Sequence, residues 1–81
     1  MTTKVHFYSY FKELTGCAEA AVELAEGSTI EQLYQELIRQ FPKLSAMNHS
    51  TLIAVGVEYQ NRSYVLQAGE EVSLFPPVQG G

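Results

Sequence analysis

The spacing of apolar residues changes rhythm along the chain, and each change predicts an element. Val5 and Phe7 alternate with Lys4, His6, Tyr8 and Tyr10, a period of two that predicts a strand over residues 4–10. Phe11 and Leu14 then share a face at i, i+3, and Gly16 suits a left-handed stop, so one or two helical turns are expected over 11–16. Ala20, Val22 and Leu24 alternate with Glu19 and Glu23, giving a second strand over 18–24, and Ala25-Glu26-Gly27 turns the chain. The clearest element follows. Ile30, Leu33, Tyr34, Leu37, Ile38 and Phe41 fall at i, i+3, i+4, i+7, i+8 and i+11, the full stripe of an amphipathic helix. Two overlapping caps can open it, Ser28 with Glu31 or Thr29 with Gln32, and Pro42 closes it. Such a stripe is core packing, because a two-layer domain needs one apolar helix face.

Residues 43–51 read as irregular, with Leu44 and Met47 tucked under the helix. Leu52-Ile53-Ala54-Val55-Gly56-Val57 is almost wholly apolar, which predicts a central strand buried on both faces. Gln60-Asn61-Arg62-Ser63 supplies a polar turn, Tyr64-Val65-Leu66 a short strand, Gln67-Ala68-Gly69-Glu70 another turn, and Val72-Ser73-Leu74-Phe75 the last strand. The expected class is α+β: a mixed sheet of four or five strands packed on one main helix. The β-grasp (ubiquitin-like) roll is the common way to fold that order at this size. Residues 1–75 form the expected domain and residues 76–81 an extended C-terminal tail.

Composition narrows the function. At 81 residues and 9.0 kDa there is room for one core and little room for a deep cofactor cleft. That argues against a self-sufficient enzyme with a bound organic cofactor. No apolar run approaches the length of a membrane span, and Met1-Thr2-Thr3-Lys4 lacks the apolar stretch of a signal peptide. One cysteine, Cys17, makes no internal disulfide, and a reducing cytoplasm is the expected compartment. The nine acidic residues are all glutamate, and five Lys or Arg leave a net charge of −4. The bases Lys4, Lys12, Arg39, Lys43 and Arg62 are scattered, so no stripe exists to neutralise phosphates and nucleic acid is not an expected partner. The acidic balance serves solubility, or steers a partner with a basic face.

The body offers no catalytic constellation. His6 and His49 lie at no metal spacing from each other or from Cys17, and His6 reads as a surface or hydrogen-bonded histidine. Cys17 follows a turn glycine without a base to activate it and reads as a small half-buried thiol. Glu70 and Glu71 are neighbours, which on a strand point to opposite faces and form no acid–base pair; a solvated turn accounts for them. The glycines at 16, 27, 56 and 69 are isolated turn or bulge residues, not a phosphate loop.

The ending differs. In Phe75-Pro76-Pro77-Val78-Gln79-Gly80-Gly81, two prolines stop the last strand and direct the tail away from the sheet. Gly80 and Gly81 then carry no side chains. The expectation is a thin thread that enters a narrow channel in another protein and presents its carboxylate there. A carboxylate is a poor electrophile until ATP converts it to an acyl-adenylate, from which sulfur can displace AMP to leave a thiocarboxylate.

This ending resembles the Phe-Pro-Pro-Val-x-Gly-Gly terminus of the molybdopterin synthase small subunit family, the sulfur carriers of molybdenum cofactor synthesis. The resemblance covers the whole chain. Lys4-Val5-His6-Phe7-Tyr8 through Lys12-Glu13-Leu14-Thr15-Gly16 is similar to the family's opening strand and its Arg/Lys-Glu-Leu-x-Gly turn, and Leu66-Gln67-Ala68-Gly69-Glu70-Glu71-Val72 to its Leu-x-x-Gly-Asp/Glu-Glu-Val stretch. The resemblance implies that Gly81 is adenylated by a separate ATP-dependent, E1-like activating enzyme and becomes a thiocarboxylate, with a persulfide as indirect sulfur donor. It implies that Gly80, Gln79, Val78, Pro77 and Pro76 enter the large subunit of molybdopterin synthase, where sulfur passes to cyclic pyranopterin monophosphate to build the dithiolene. No cofactor is bound by the carrier itself; ATP is consumed by the activating enzyme. The assembly implied is a heterotetramer, with the substrate pocket in the large subunit.

By the same resemblance Tyr8, Tyr59 and Phe75 match apolar positions that dock against the partners, tyrosine standing where the family often has Phe or Leu. Two arrangements fit the pattern: Tyr8, Tyr10 and Phe75 form an exposed patch at the root of the tail, or neighbouring loops cover them. Two other functions fit the same ending, a ubiquitin-like modifier joined to lysines through Gly81 and a plain β-grasp binding module whose glycines do nothing.

Overall fold

The main helix begins where the second of the two possible caps places it. In the computed structural model, which describes residues 1–47 and 50–77, α2 spans Ile30–Gln40 with Thr29 as N-cap. The Gln32 backbone N–H donates to Thr29 Oγ1 at 3.3 Å, and the Thr29 N–H donates to Gln32 Oε1 at 2.8 Å. This reciprocal pair is a capping box. Ser28 instead donates its hydroxyl to the Ala25 carbonyl at 2.6 Å and closes the preceding turn. Ile30, Leu33, Tyr34 and Leu37 are buried, and Ile38 and Phe41 pack against the same core. An 11-residue helix is marginal alone. Burial at roughly 1.5–3 kcal/mol per large side chain is what holds it. Pro42 ends α2 but opens a 3-10 helix, Pro42–Met47, where an irregular stretch was expected. Leu44 is buried there and Met47 partly so, as the pattern predicts.

Five strands form one sheet in the order β2-β1-β5-β3-β4: β1 (Thr2–Phe7), β2 (Glu19–Glu23), β3 (Leu52–Val55), β4 (Glu58–Tyr59) and β5 (Glu71–Phe75). β1 and β5 run parallel and the other pairs antiparallel. One main helix on a mixed five-stranded sheet is the β-grasp roll that the pattern predicts. The register sorts the faces. Val5, Val72 and Val55 form one row and Phe7, Leu74 and Ile53 the next, and all six join the helix stripe in a single core. Lys4, His6, Glu71, Ser73, Phe75, Leu52 and Ala54 occupy the alternate positions and so line the outer face.

Three departures from the expected elements bear on that face. First, β1 ends at Phe7, and Tyr10 belongs to the short helix α1 (Tyr10–Thr15). Between them Ser9 sits at φ 54°, ψ −128°, and the Phe11 N–H donates to the Tyr8 carbonyl at 3.1 Å. These are the marks of a type II′ turn with serine where glycine is favoured. Second, β3 stops at Val55. Burial on both faces holds for Ile53, Ala54 and Val55, but Val57 is 98% exposed. Gly56, at φ 61°, and Val57 are a two-residue hairpin turn, since Val55 pairs with Glu58. Third, Tyr64-Val65-Leu66 is not a strand; Val65 makes one isolated bridge to Thr29. The fifth strand is β4. The segment before Leu66 caps the helix instead: Ile30 N–H donates to Tyr64 O and Glu31 N–H to Arg62 O, both at 3.0 Å, satisfying first-turn donors. The Arg62 guanidinium lies 4.3 Å from the Tyr34 ring centroid, and its Nη1 lies 3.3 Å from Glu31 Oε1.

Candidate functional site

Parallel pairing of β1 with β5 brings two expected site residues together. Phe7 stands beside Leu74 in the register, and the Tyr8 N–H donates to the Leu74 carbonyl at 3.2 Å, so the next pair is Tyr8 beside Phe75. Their rings stack with centroids 4.7 Å apart and planes 8° from parallel. Leu52 is the partner of Phe75 on β3, and Ala54 is the partner of Tyr59 on β4. The Tyr59 ring meets Phe75 edge-on at 6.3 Å and 72°. The small Ala54 side chain leaves room for that contact across β3. The result is an aromatic row, Tyr8–Phe75–Tyr59, spanning the outer face at the point where the chain leaves β5.

Among the described residues the row is open to solvent at both ends, with Tyr8 40% and Tyr59 67% exposed and Phe75 partly buried between them. Tyr10 is also exposed but sits on α1, and no ring contact joins it to the row among the described residues. Pro76 and Pro77 follow Phe75 and are half-buried. Val78, Gln79, Gly80 and Gly81, and also His49, lie outside the described residues.

Beside the row runs a groove of about 470 Å³, bordered by His6, Tyr8, Val57, Glu70, Glu71 and Ser73 among others. His6 sits between two carboxylates: Nε2 is 2.6 Å from Glu71 Oε1, and Nδ1 is 3.6 Å from Glu19 Oε2. The hydrogen bond from His6 holds the Glu71 carboxyl below the usual carboxylate range. Glu70 lies in the turn expected over residues 67–70, outside β5. It ends the turn before β5, accepts from Tyr64 Oη at 2.6 Å and from the Gln67 N–H at 2.7 Å, and borders the same groove as Glu71. Its carboxylate raises the Tyr64 phenol above its ordinary value. His6 is thus a hydrogen-bonded surface histidine. Cys17 is half-buried against the core, its Sγ 3.7 Å from Thr15 Oγ1. No group among the described residues could hold a metal ion. No helix among them is long and apolar enough to cross a membrane.

The sequence pattern missed Val57 as a surface residue, and with it the groove wall. The signal was present: a Gly-X pair flanked by β-prone residues marks a II′ hairpin. What these residues offer chemically is recognition: stacked aromatic area to bury, next to fixed negative charge.

Comparison with known proteins places this surface in context. Residues 5–81 match the model of the ThiS family. The molybdopterin synthase sulfur carrier subunit of Arabidopsis thaliana is 31% identical over 78 residues, covering 96% of this chain and 81% of that protein. The protein of the same name from Escherichia coli strain K12 is 34% identical over 80 residues, covering 96% and 98%. Among solved structures, the putative molybdopterin converting factor, subunit 1, from Pyrococcus furiosus superposes with a TM-score of 0.88 at 28% identity, covering 96% of this chain and 99% of that one.

Proposed function

We infer that this chain, which belongs to the ThiS family, is the sulfur-carrying subunit of a molybdopterin synthase. The observation that carries the reading is likeness over nearly the full length to curated carriers of that name. It is joined to an ending, Phe75-Pro76-Pro77-Val78-Gln79-Gly80-Gly81, that starts from an exposed aromatic row.

The chemistry follows from what a terminal glycine can do. The Gly81 carboxylate attacks the α-phosphate of ATP on an activating enzyme and pyrophosphate leaves. A persulfide then displaces AMP to give an acyl disulfide, and a second thiol on the sulfur donor cleaves its S–S bond, leaving a thiocarboxylate on Gly81 and a disulfide on the donor. Glycine suits both steps, since Gly80 and Gly81 present no side chain to obstruct a narrow channel. In the large subunit the thiocarboxylate sulfur attacks cyclic pyranopterin monophosphate, water cleaves the resulting acyl–sulfur bond and returns Gly81 as a carboxylate, and two charged carriers supply the two sulfurs of each dithiolene. The carrier binds no cofactor of its own. Tyr8, Phe75 and Tyr59 are the docking anchors in this reading, because Tyr8 and Tyr59 are exposed and Phe75 partly so, and large aromatic rings in a contiguous row gain most from burial against a partner. Pro76, Pro77, Val78 and Gln79 are the spacer that carries Gly80 and Gly81 into the partner's channel.

The test is fragment-level mass spectrometry of the chain after incubation with its activating enzyme, a sulfur source and ATP. The expected result is one sulfur in place of one oxygen, confined to Gly81. A plain Gly81 carboxylate under those conditions overturns the carrier reading, and Gly81 in amide linkage to lysine makes the chain a modifier instead.

A further inference from the structure

The groove beside the aromatic row has a chemistry that the row lacks. Val57, at the tip of the β3–β4 hairpin, is a β-branched apolar side chain left 98% exposed. It borders the groove together with the Tyr8 ring. Glu70, Glu71 and Ser73 border the same space, and no lysine or arginine among the described residues does. Glu71 uses Oε1 to receive His6, and Oε2 has no hydrogen-bond partner among the described residues. Glu19 adds a third carboxylate on the far side of His6. Lys4, beside Glu71 in the register, is the neighbouring cation. Apolar walls with a carboxylate end match one kind of side chain, a long aliphatic stem tipped by a cation.

Resting on the carrier reading, the geometry points to this groove as the seat of an arginine from the protein partner that covers the aromatic row. The stem lies along Val57 and Tyr8, and the guanidinium donates to Glu71 Oε2. Arginine fits better than lysine because its planar fork pairs with a carboxylate and stacks on a tyrosine face. The groove lies next to the row through Tyr8, which belongs to both. Its occupant therefore comes from the same partner surface, and the pairing fixes the orientation in which the tail is presented.

The experiment uses the full chain and the large subunit of molybdopterin synthase from the same organism, with binding measured by calorimetry at several salt concentrations. Val57→Lys places a second cation in the groove and is expected to weaken binding about tenfold at low salt. Val57→Glu adds a partner for the guanidinium and is expected to bind at least as tightly as the unaltered chain. Gln35→Lys and Gln35→Glu, on the exposed face of α2, control for net charge and are expected to change affinity less than twofold. Glu71→Gln is expected to flatten the salt dependence. Equal weakening by Val57→Lys and Val57→Glu would mean an apolar occupant and overturns the proposal, as does no effect of either. If the unaltered chain does not bind the large subunit at all, the carrier reading fails and the proposal with it.

Discussion

Tyr8 and Phe75 stack face to face at 4.7 Å, which is the spacing of two hydrogen-bonded strands. The stack is therefore a product of the parallel β1–β5 register: backbones one strand apart hold their outward rings one strand apart. Sequence separation plays no part, since the two residues lie at opposite ends of the chain.

Pre-stacked rings are ordered before a partner arrives, so less side-chain entropy is lost on docking. Phe75→Ala is expected to cost about 2 kcal/mol or more in affinity for the large subunit. A double-mutant cycle of Tyr8→Ala with Phe75→Ala should return a coupling of about 1 kcal/mol in unfolding free energy. Calorimetry and urea denaturation of the four proteins check both values.

Ser9 is the one non-glycine residue with positive φ among those described. Backbone strain of that kind costs about 1–3 kcal/mol, while placing glycine there adds unfolded-chain entropy worth about 0.5–1 kcal/mol. Strain relief is the larger effect. Ser9→Gly is expected to stabilise the fold by about 1 kcal/mol, read as a higher urea midpoint with unchanged slope.

The Tyr34 hydroxyl lies 3.2 Å from the Leu44 carbonyl and 2.9 Å from Thr51 Oγ1. Burial pushes the phenol above its ordinary value, the leading cause among several. A raised folded value favours the protonated form. Its contribution is therefore complete below about pH 10, the unfolded value, and is lost as pH rises through the higher folded value. Tyr34→Phe is expected to cost about 1 kcal/mol at neutral pH, because the Leu44 carbonyl loses its partner. It should also shallow the alkaline fall in stability, checked by thermal melts from pH 8 to 12.

Gly81→Ala adds one methyl group to the reacting residue. Thiocarboxylate formation is expected to fall at least tenfold, while thermal stability stays within about 0.5 kcal/mol. Mass spectrometry and calorimetry on one preparation separate the two effects.

Long periodic segments were legible in the sequence, and short turns were not. The α2 stripe needed no tertiary information, because Ile30 to Phe41 repeats its face three times. The pairing of β1 with β5 could not be read, because register lies in contacts between distant residues. The Leu52–Val57 run looked uniform because apolar content alone cannot tell a buried Val55 from an exposed Val57; the bend at Gly56 makes that difference. Tyr64–Leu66 carries the composition of a strand, yet its backbone is spent on the N-terminal donors of α2. Tyr8 and Phe75 were legible as outward residues by alternation, while Tyr59 entered by resemblance alone. Their stacking, and the crossing over Ala54, emerged only from the folded sheet.

The position of β5 has a mechanical meaning. The strand from which the tail departs is not an edge; it is clamped by β1 on one side and β3 on the other. Tension on the chain beyond Phe75 cannot peel β5 away one hydrogen bond at a time. Pulled against the start of β1, it loads the parallel ladder along its length, so several bonds must fail together. A sheet built this way is a fixed anchor for whatever load is applied to the chain beyond Phe75.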